Sequence, residues 1–261
     1  MKISVVINTY NAAKHLEKVL ESVKDFDEIV LCDMYSSDNT VEIAKRYNCK
    51  IIYHEYVGYV EPARKMAVDA AMNEWVLIVD ADELVPPALR KYLYEQIKNA
   101  SHFSGIRINR KNYFMGRFMR CTYPDRILRF LRKSEAFFPL EIHVPPKIKG
   151  NITNIPTHKK ELALIHLANE SIQQLIKKID RYTEYERIRR KNLKYGYFSL
   201  MNESLFRFFK LYIIKGACFD GKPGLVYAGL MAFYKYVTIS KLWESKFQYD
   251  DLNKEIERLK Y

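Results

Sequence analysis

Apolar positions in the first eighty residues come in short blocks that alternate between two spacings. Ile3 to Ile7, Ile29 to Cys32 and Trp75 to Val79 are near-continuous apolar runs; the first closes on Asn8, the others on Asp33 and Asp80. Runs of that length, rich in Val, Ile and Leu, predict strands buried on both faces. Between them Leu16, Val19, Leu20 and Val23 recur at helical spacing, and Val41 to Tyr47 and Ala63 to Ala71 read as further helices around a short strand, Lys50 to Tyr53. Strands alternating with helices imply an α/β fold with a mostly parallel sheet and right-handed crossovers. Ligands of such sheets sit beyond the carboxyl ends of the strands. Thr9-Tyr10-Asn11, Asp33 and the Asp80-Ala81-Asp82 turn all fall at such ends.

The Asp-Ala-Asp turn carries the sharpest chemistry. In an extended chain Asp80 and Asp82 point to one side, with small Ala81 between them. Two carboxylates leaving one strand end suit a hard cation such as Mg²⁺ or Mn²⁺, shared with substrate phosphates. The competing reading is a strand followed by a solvated acidic turn. No glycine-rich phosphate loop of the GxGxxG or GxxxxGK[ST] kind occurs, so a bound nucleotide would be held by side chains and metal.

From Gly105 to Lys133 the chain carries nine Lys/Arg and one acid, Asp125. Ile106-Arg107-Ile108 and Ile127 to Leu131 alternate as half-buried strands do. One face of that pair is expected to present Arg107 and Arg129 to a phosphate-rich substrate, unless the run is simply a solvated face. Beyond Leu164-Ile165-His166-Leu167, an apolar strand, Ser171 to Tyr195 has the spacing of one long helix. Two apolar-aromatic stretches follow, Glu203 to Ile214 and Leu225 to Trp243, separated by a Phe219 to Gly224 turn. The longest uncharged run there, Pro223 to Tyr234, falls short of the roughly 20 residues that cross a bilayer. Interspersed Lys and Arg fit a surface anchor; the alternative is packing on the catalytic domain or on a second subunit of a homo-oligomer. The expected division is a catalytic domain, 1–168, and a helical extension, 169–261.

A net charge of +12 favours anionic partners, an anionic membrane surface among them. The four cysteines are scattered without a CxxC pair, consistent with reduced thiols. Ile3 to Ile7 is too short for a secretory leader, so a cytoplasmic site, peripheral on the inner membrane face, is expected.

The ordered runs VVINTYN, DEIVLCDMYSSDNT, GYVEPARKMA and WVLIVDADE together resemble family 2 glycosyltransferases of the GT-A fold, most closely the bacterial branch that adds a sugar to the lipopolysaccharide inner core. The resemblance covers essentially the whole chain. It implies that Thr9, Tyr10 and Asn11 line a base pocket, with Asp33 accepting from uracil or ribose. Arg64 would stand near the diphosphate, and Asp80 and Asp82, flanking Ala81, would be the metal-binding DxD. Asp38 also falls in the pattern, with helix capping as its ordinary job; Lys65 stands where many relatives carry Asn. The segment Asn112 to Arg117 and the Tyr123-Pro124-Asp125 turn resemble the family's acceptor side. An inverting transfer needs a carboxylate to take the acceptor's proton; Asp125 is the candidate, against a structural role in its turn. His166 is either a hydrogen-bonded strand residue or, as a late His does in some GT-A enzymes, a third metal ligand. Pro139 to Pro145 departs from the family: Val144 occupies the place of its Glu, Glu141 is out of register, and His143 either touches diphosphate or acceptor or is packed.

The implied activity is hexose transfer from a UDP-sugar to a lipid-linked saccharide, assisted by Mg²⁺ or Mn²⁺. A sugar-phosphate nucleotidyltransferase shares the sheet but normally needs a glycine-rich loop near the first strand. A basic nucleic-acid-binding module should interleave aromatic with basic residues on one surface; no nucleic-acid partner is expected.

Overall fold

The computed structural model describes residues 1–98, 102–139, 146–167, 171–246 and 250–259. Glu141, His143 and Val144 lie outside the described residues. Two compact units emerge: Met1–Tyr113 with Thr122–Ala168, and Phe114–Cys121 with Asn169–Tyr261. The short middle segment Phe114–Cys121 thus belongs with the carboxyl-terminal helices, which its sequence gave no reason to expect.

The first unit follows the alternation of the sequence: β1 (Ile3–Thr9), α1 (Ala13–Val23), β2 (Glu28–Asp33), α2 (Thr40–Arg46), β3 (Lys50–Tyr53), α3 (Glu61–Ala70), β4 (Trp75–Asp80), β5 (Glu83–Leu84) and α4 (Pro87–Lys98). Strands β3, β2, β1 and β4 are parallel neighbours in that order. Beyond β4 the sheet turns antiparallel. β6 (Gly105–Phe114) follows in the chain, then β7 (Arg117–Phe118) and β8 (Asp125–Arg132), and β8 lies between β4 and β6. A small hairpin, β9 (Ala136–Phe137) with β10 (Lys147–Ile148), stands apart. β11 (Ile152–Asn154) and β12 (Leu164–His166) both pair with β6 in parallel, and β12 also takes β5 in antiparallel register.

Alternation across the pleat explains the two faces of the sheet. Val5, Ile7, Leu77, Val79 and Phe130 pack with α1 and α4 through Leu16, Leu20, Leu89 and Leu93. Val6, Ile78 and Leu131 face Ala63, Ala67 and Val68 of α3. Trp75 stacks on Phe130, with ring centroids 5.0 Å apart. Each such aliphatic or aromatic group, fully buried, contributes roughly 1.5–3 kcal/mol, so β4 reaches its polar end as a rigid element.

In the second unit, α5 (Ile172–Arg189) opens with a capping box between Ser171 and Gln174 and is shorter than the sequence spacing suggested. α6 (Tyr197–Phe209), α7 (Gly221–Glu244) and the polar α8 (Asp250–Arg258) complete it. Phe114, Met119 and Cys121 pack against Leu175, Ile179 and Ala217. The expected turn at Phe219 to Gly224 spans the end of a short 3-10 turn, Ala217–Asp220, and the first residues of α7, with Asp220 at the N-cap. A Cβ at Gly224 would lie 1.9 Å from the Ala217 carbonyl, so that close approach requires glycine.

Candidate active site

The register of the sheet assembles the site. Asn8 pairs Asp80, Arg110 pairs Asp125, Asn112 pairs His166, and His166 pairs Glu83. Strand ends from both halves of the sheet thereby bring their polar residues together.

Asp80 is held by three arginines. Arg129 contacts both of its oxygens, Nη1 meeting Oδ1 at 3.1 Å and Nη2 meeting Oδ2; Arg64 Nη2 donates to Oδ1 at 3.2 Å, and Arg110 Nη1 stands 4.0 Å from Oδ2. Burial alone would raise the Asp80 carboxyl; the Arg129 and Arg64 guanidiniums outweigh it and hold its pKa below the ordinary carboxylate range. Glu83, fully buried, accepts from Arg129 at 3.0 Å and Arg110 at 3.1 Å, and also from the Asp80 backbone N–H at 3.1 Å. Expected as a metal ligand, Asp80 here has both carboxylate oxygens on guanidinium groups.

Arg129 departs from expectation. Placed by alternation on an exposed face with Arg107, it is 4% exposed, whereas Arg107 is exposed. A register shift between β6 and β8 at Ile106/Arg107 sets Arg107 opposite Leu128 and passes over Arg129, whose side chain is buried against Asp80 and Glu83, which compensate its charge. Its pKa is raised: burial lowers it, but Asp80 and Glu83 outweigh that.

Asp82 takes a different partner. The strand ends at Asp80, and Asp82 Oδ2 lies 3.2 Å from His166 Nε2. Burial pushes the Asp82 carboxyl up, and the hydrogen bond and charge of His166 bring it below its ordinary value. His166 Nδ1 is 2.8 Å from Asn112 Oδ1, and Asn112 Nδ2 donates to Asp125 Oδ2 at 2.9 Å. Arg110 Nε donates to the same Asp125 oxygen at 2.9 Å. The other, Oδ1, has no hydrogen-bond partner among the described residues. No group of three His, Cys, Asp or Glu side chains among the described residues is gathered closely enough to hold an ion alone.

The residues expected around a base form a stitched turn at the ends of β1 and β2. Thr9 Oγ1 donates to Asp33 Oδ1 at 2.7 Å, and Ser36 donates to the same carboxylate through its N–H at 2.8 Å and its hydroxyl at 2.6 Å. Asp33 is fully buried and Thr9 nearly so; in this arrangement they shape the turn, and neither side chain faces solvent. Asn11, in the left-handed region at φ 50°, accepts from the Ser37 N–H at 2.9 Å. Asp38 accepts from the Ala13 and Thr40 backbone N–H groups, at 3.0 and 3.1 Å, tying α1 to α2. Tyr10 is exposed and stacks on Tyr56 at 4.0 Å. Ala81 packs against the larger core cluster.

Glu83 and Arg110 belong to the site and were not singled out from the sequence, and Asn112 entered only as the start of a segment resembling the acceptor side. Arg110 and Asn112 continue the parity of buried Ile106 and Ile108 along β6, a signal that both point inward. His15 was also missed. It sits in the first turn of α1, its pKa lowered by burial and by Lys14, with the Asp82 charge opposing.

Three comparisons bear on this geometry. The family described as "Glycosyl transferase family 2" matches residues 4–151. An uncharacterized glycosyltransferase of Rickettsia felis is 28% identical over 276 residues, covering 94% of this chain and 90% of the relative. The lipopolysaccharide core biosynthesis glycosyltransferase LpsC of Rhizobium meliloti is 24% identical over 258 residues, covering 94% and 93%. Among solved structures, the mannosyltransferase PcManGT from Pyrobaculum calidifontis, in complex with GDP-Man and Mn²⁺, superposes with a TM-score of 0.57 at 16% identity, over 94% of this chain and 88% of that one. S. aureus TarS gives 0.50 at 18% identity over 92% and 55%. Both neighbours support the GT-A arrangement of the sheet.

Proposed function

The chain belongs to glycosyl transferase family 2, and on that premise we propose that it transfers a hexose, with inversion, from a UDP-sugar to a lipid-linked saccharide at a membrane surface. The observation that carries the reading is the Asp82–His166 pair at 3.2 Å beyond the end of β4. A carboxylate oxygen and an imidazole nitrogen at that separation form a two-donor set that fits Mn²⁺ or Mg²⁺ and leaves other positions to diphosphate oxygens and water.

In this reading Asp82 and His166 would hold the cation, which would neutralise charge developing on the leaving diphosphate. Asp80 keeps Arg64 and Arg129 in place from behind, and Arg64 adds positive charge toward the diphosphate. Tyr10 offers an exposed aromatic face to the base, while Thr9, Asn11 and Asp33 hold the turn that presents it. Asp125 accepts the proton of the acceptor hydroxyl at Oδ1, because Oδ2 is fixed by Arg110 and Asn112. The name of the Rhizobium relative supports a lipopolysaccharide-type acceptor, and the bound GDP-Man and Mn²⁺ of PcManGT support a nucleotide-sugar donor with metal.

A panel of UDP- and GDP-sugars, assayed for slow nucleotide release with and without Mn²⁺, tests this. The expected result is metal-dependent release from one UDP-sugar. Release from a GDP-sugar alone overturns the UDP assignment, and equal rates in chelator overturn the metal.

A further inference from the structure

One side chain joins the proposed metal pair to the proposed base. Asn112 pairs with His166 across β6 and β12, and Arg110, two residues earlier on the same face, pairs with Asp125 across β6 and β8. Asn112 Nδ2 donates to Asp125 Oδ2 at 2.9 Å, and its Oδ1 stands 2.8 Å from His166 Nδ1. An ionised carboxylate accepts and never donates, so the NH₂ of this amide must face Asp125 and its carbonyl must face the ring. That carbonyl in turn requires a hydrogen on Nδ1. Nε2, however, lies 3.2 Å from Asp82 Oδ2, a second acceptor. A neutral imidazole has one N–H and cannot serve both. A second proton satisfies the arrangement, and so does a cation placed between Nε2 and the carboxylate.

We infer that Asn112 is a positioning residue that commits the hydrogen of His166 to Nδ1, leaving the Nε2 lone pair to form the cation-holding pair with Asp82. The inference rests on the metal reading above and deepens it. Asn112 touches neither donor nor acceptor sugar in this account. It fixes the tautomer of one ligand and, through the same amide, the Asp125 oxygen that is not needed for proton transfer. Outer partners of this kind orient ligating histidines and are worth about 10- to 100-fold in metal affinity.

The test uses the whole chain with UDP present. Mn²⁺ affinity is read from the free-ion electron paramagnetic resonance signal for wild type, Asp82→Asn, Asn112→Ala and Asn112→Asp. In wild type loaded with diamagnetic Mg²⁺ and UDP, ¹⁵N shifts of the labelled histidines report which ring nitrogen of His166 carries hydrogen. The expected results are hydrogen on Nδ1, Mn²⁺ binding about 10- to 100-fold weaker in Asn112→Ala, and near wild-type binding in Asn112→Asp. The Asp variant keeps an acceptor toward Nδ1 and, toward Asp125, replaces the donor with a second carboxylate oxygen, so its repulsion falls on the Asp125 side of the amide. Hydrogen on Nε2 in the loaded protein overturns the inference, and so does undiminished Mn²⁺ binding in Asn112→Ala. If Asp82→Asn also binds Mn²⁺ undiminished, the metal reading itself falls; if Asp82→Asn alone is impaired, only the role of Asn112 does. Should Asn112→Ala fail to fold, the wild-type ring assignment and Asn112→Asp still decide.

Discussion

Arg129, its side chain almost wholly buried, ties Asp80 to Glu83, and without it Asp80 keeps Arg64 while Glu83 keeps Arg110. Breaking a buried pair from one side costs up to about 3–5 kcal/mol where the remaining charge has no other partner, so Arg129→Met, with Arg64 and Arg110 still in place, should lower the thermal midpoint by less than that limit. The same clamp sets a pH dependence. The folded-state pKa of Asp80 lies below its unfolded value, because Arg129 and Arg64 outweigh the effect of burial. The linked stability is therefore present above the unfolded carboxylate value of about 3.9 and is lost as pH falls through the lower folded value. Thermal melts across that range should fall with acidification in wild type and fall less steeply in Arg129→Met; parallel curves would deny Asp80 this role. Asp125 is tested differently. Asp125→Asn keeps the size of the side chain and removes proton acceptance, a loss that costs about 10² to 10⁴ in rate. UDP affinity should hardly change, since the donor is held elsewhere. A kcat loss below about tenfold, or a parallel loss of UDP affinity, would assign Asp125 to structure alone.

At the scale of elements, the parallel half of the sheet was legible because Ile3 to Ile7, Ile29 to Cys32 and Trp75 to Val79 are apolar blocks that only a buried strand accommodates. The antiparallel half was legible as strands but not as phase. Arg107 and Arg129 each sit between apolar neighbours, yet the register shift at Ile106/Arg107 sets Arg107 opposite Leu128 and passes over Arg129, and Arg107 is exposed while Arg129 is buried. Asp82 and His166 are 84 positions apart, and no local spacing predicts that pairing; family resemblance alone pointed to His166. In the second unit, α6 exposes Phe198, Met201, Leu205 and Phe209 at helical spacing, with Phe206 beside them and Ile213 and Ile214 just beyond. Arg207, Lys210 and Lys215 lie among these groups, a composition suited to the headgroup layer of an anionic bilayer. No helix among the described residues is long and apolar enough to cross a membrane. Binding to anionic liposomes at low salt should therefore weaken with added salt and be lost in a Phe198→Ser/Phe206→Ser double variant. A wild-type protein that ignores such vesicles and sediments as a dimer through this face would replace the membrane with a second copy.

In the molecule as a whole, strand ends from the two halves of the sheet build the proposed nucleotide-sugar site, with Asp82 and His166 proposed to hold its cation. A net charge of +12 would attract UDP without any metal, so affinity by itself does not test the claim; its dependence on metal does. Isothermal titration of UDP should be run with Mn²⁺ and with chelator, on wild type and on Asp82→Asn. Asp82 lies beyond the end of β4, so the variant should keep the fold, with a thermal midpoint lowered only by the lost contact with His166. The account predicts UDP binding to wild type that strengthens when Mn²⁺ is added, and binding to Asp82→Asn that Mn²⁺ no longer affects. Equal strengthening by Mn²⁺ in the two proteins would contradict it.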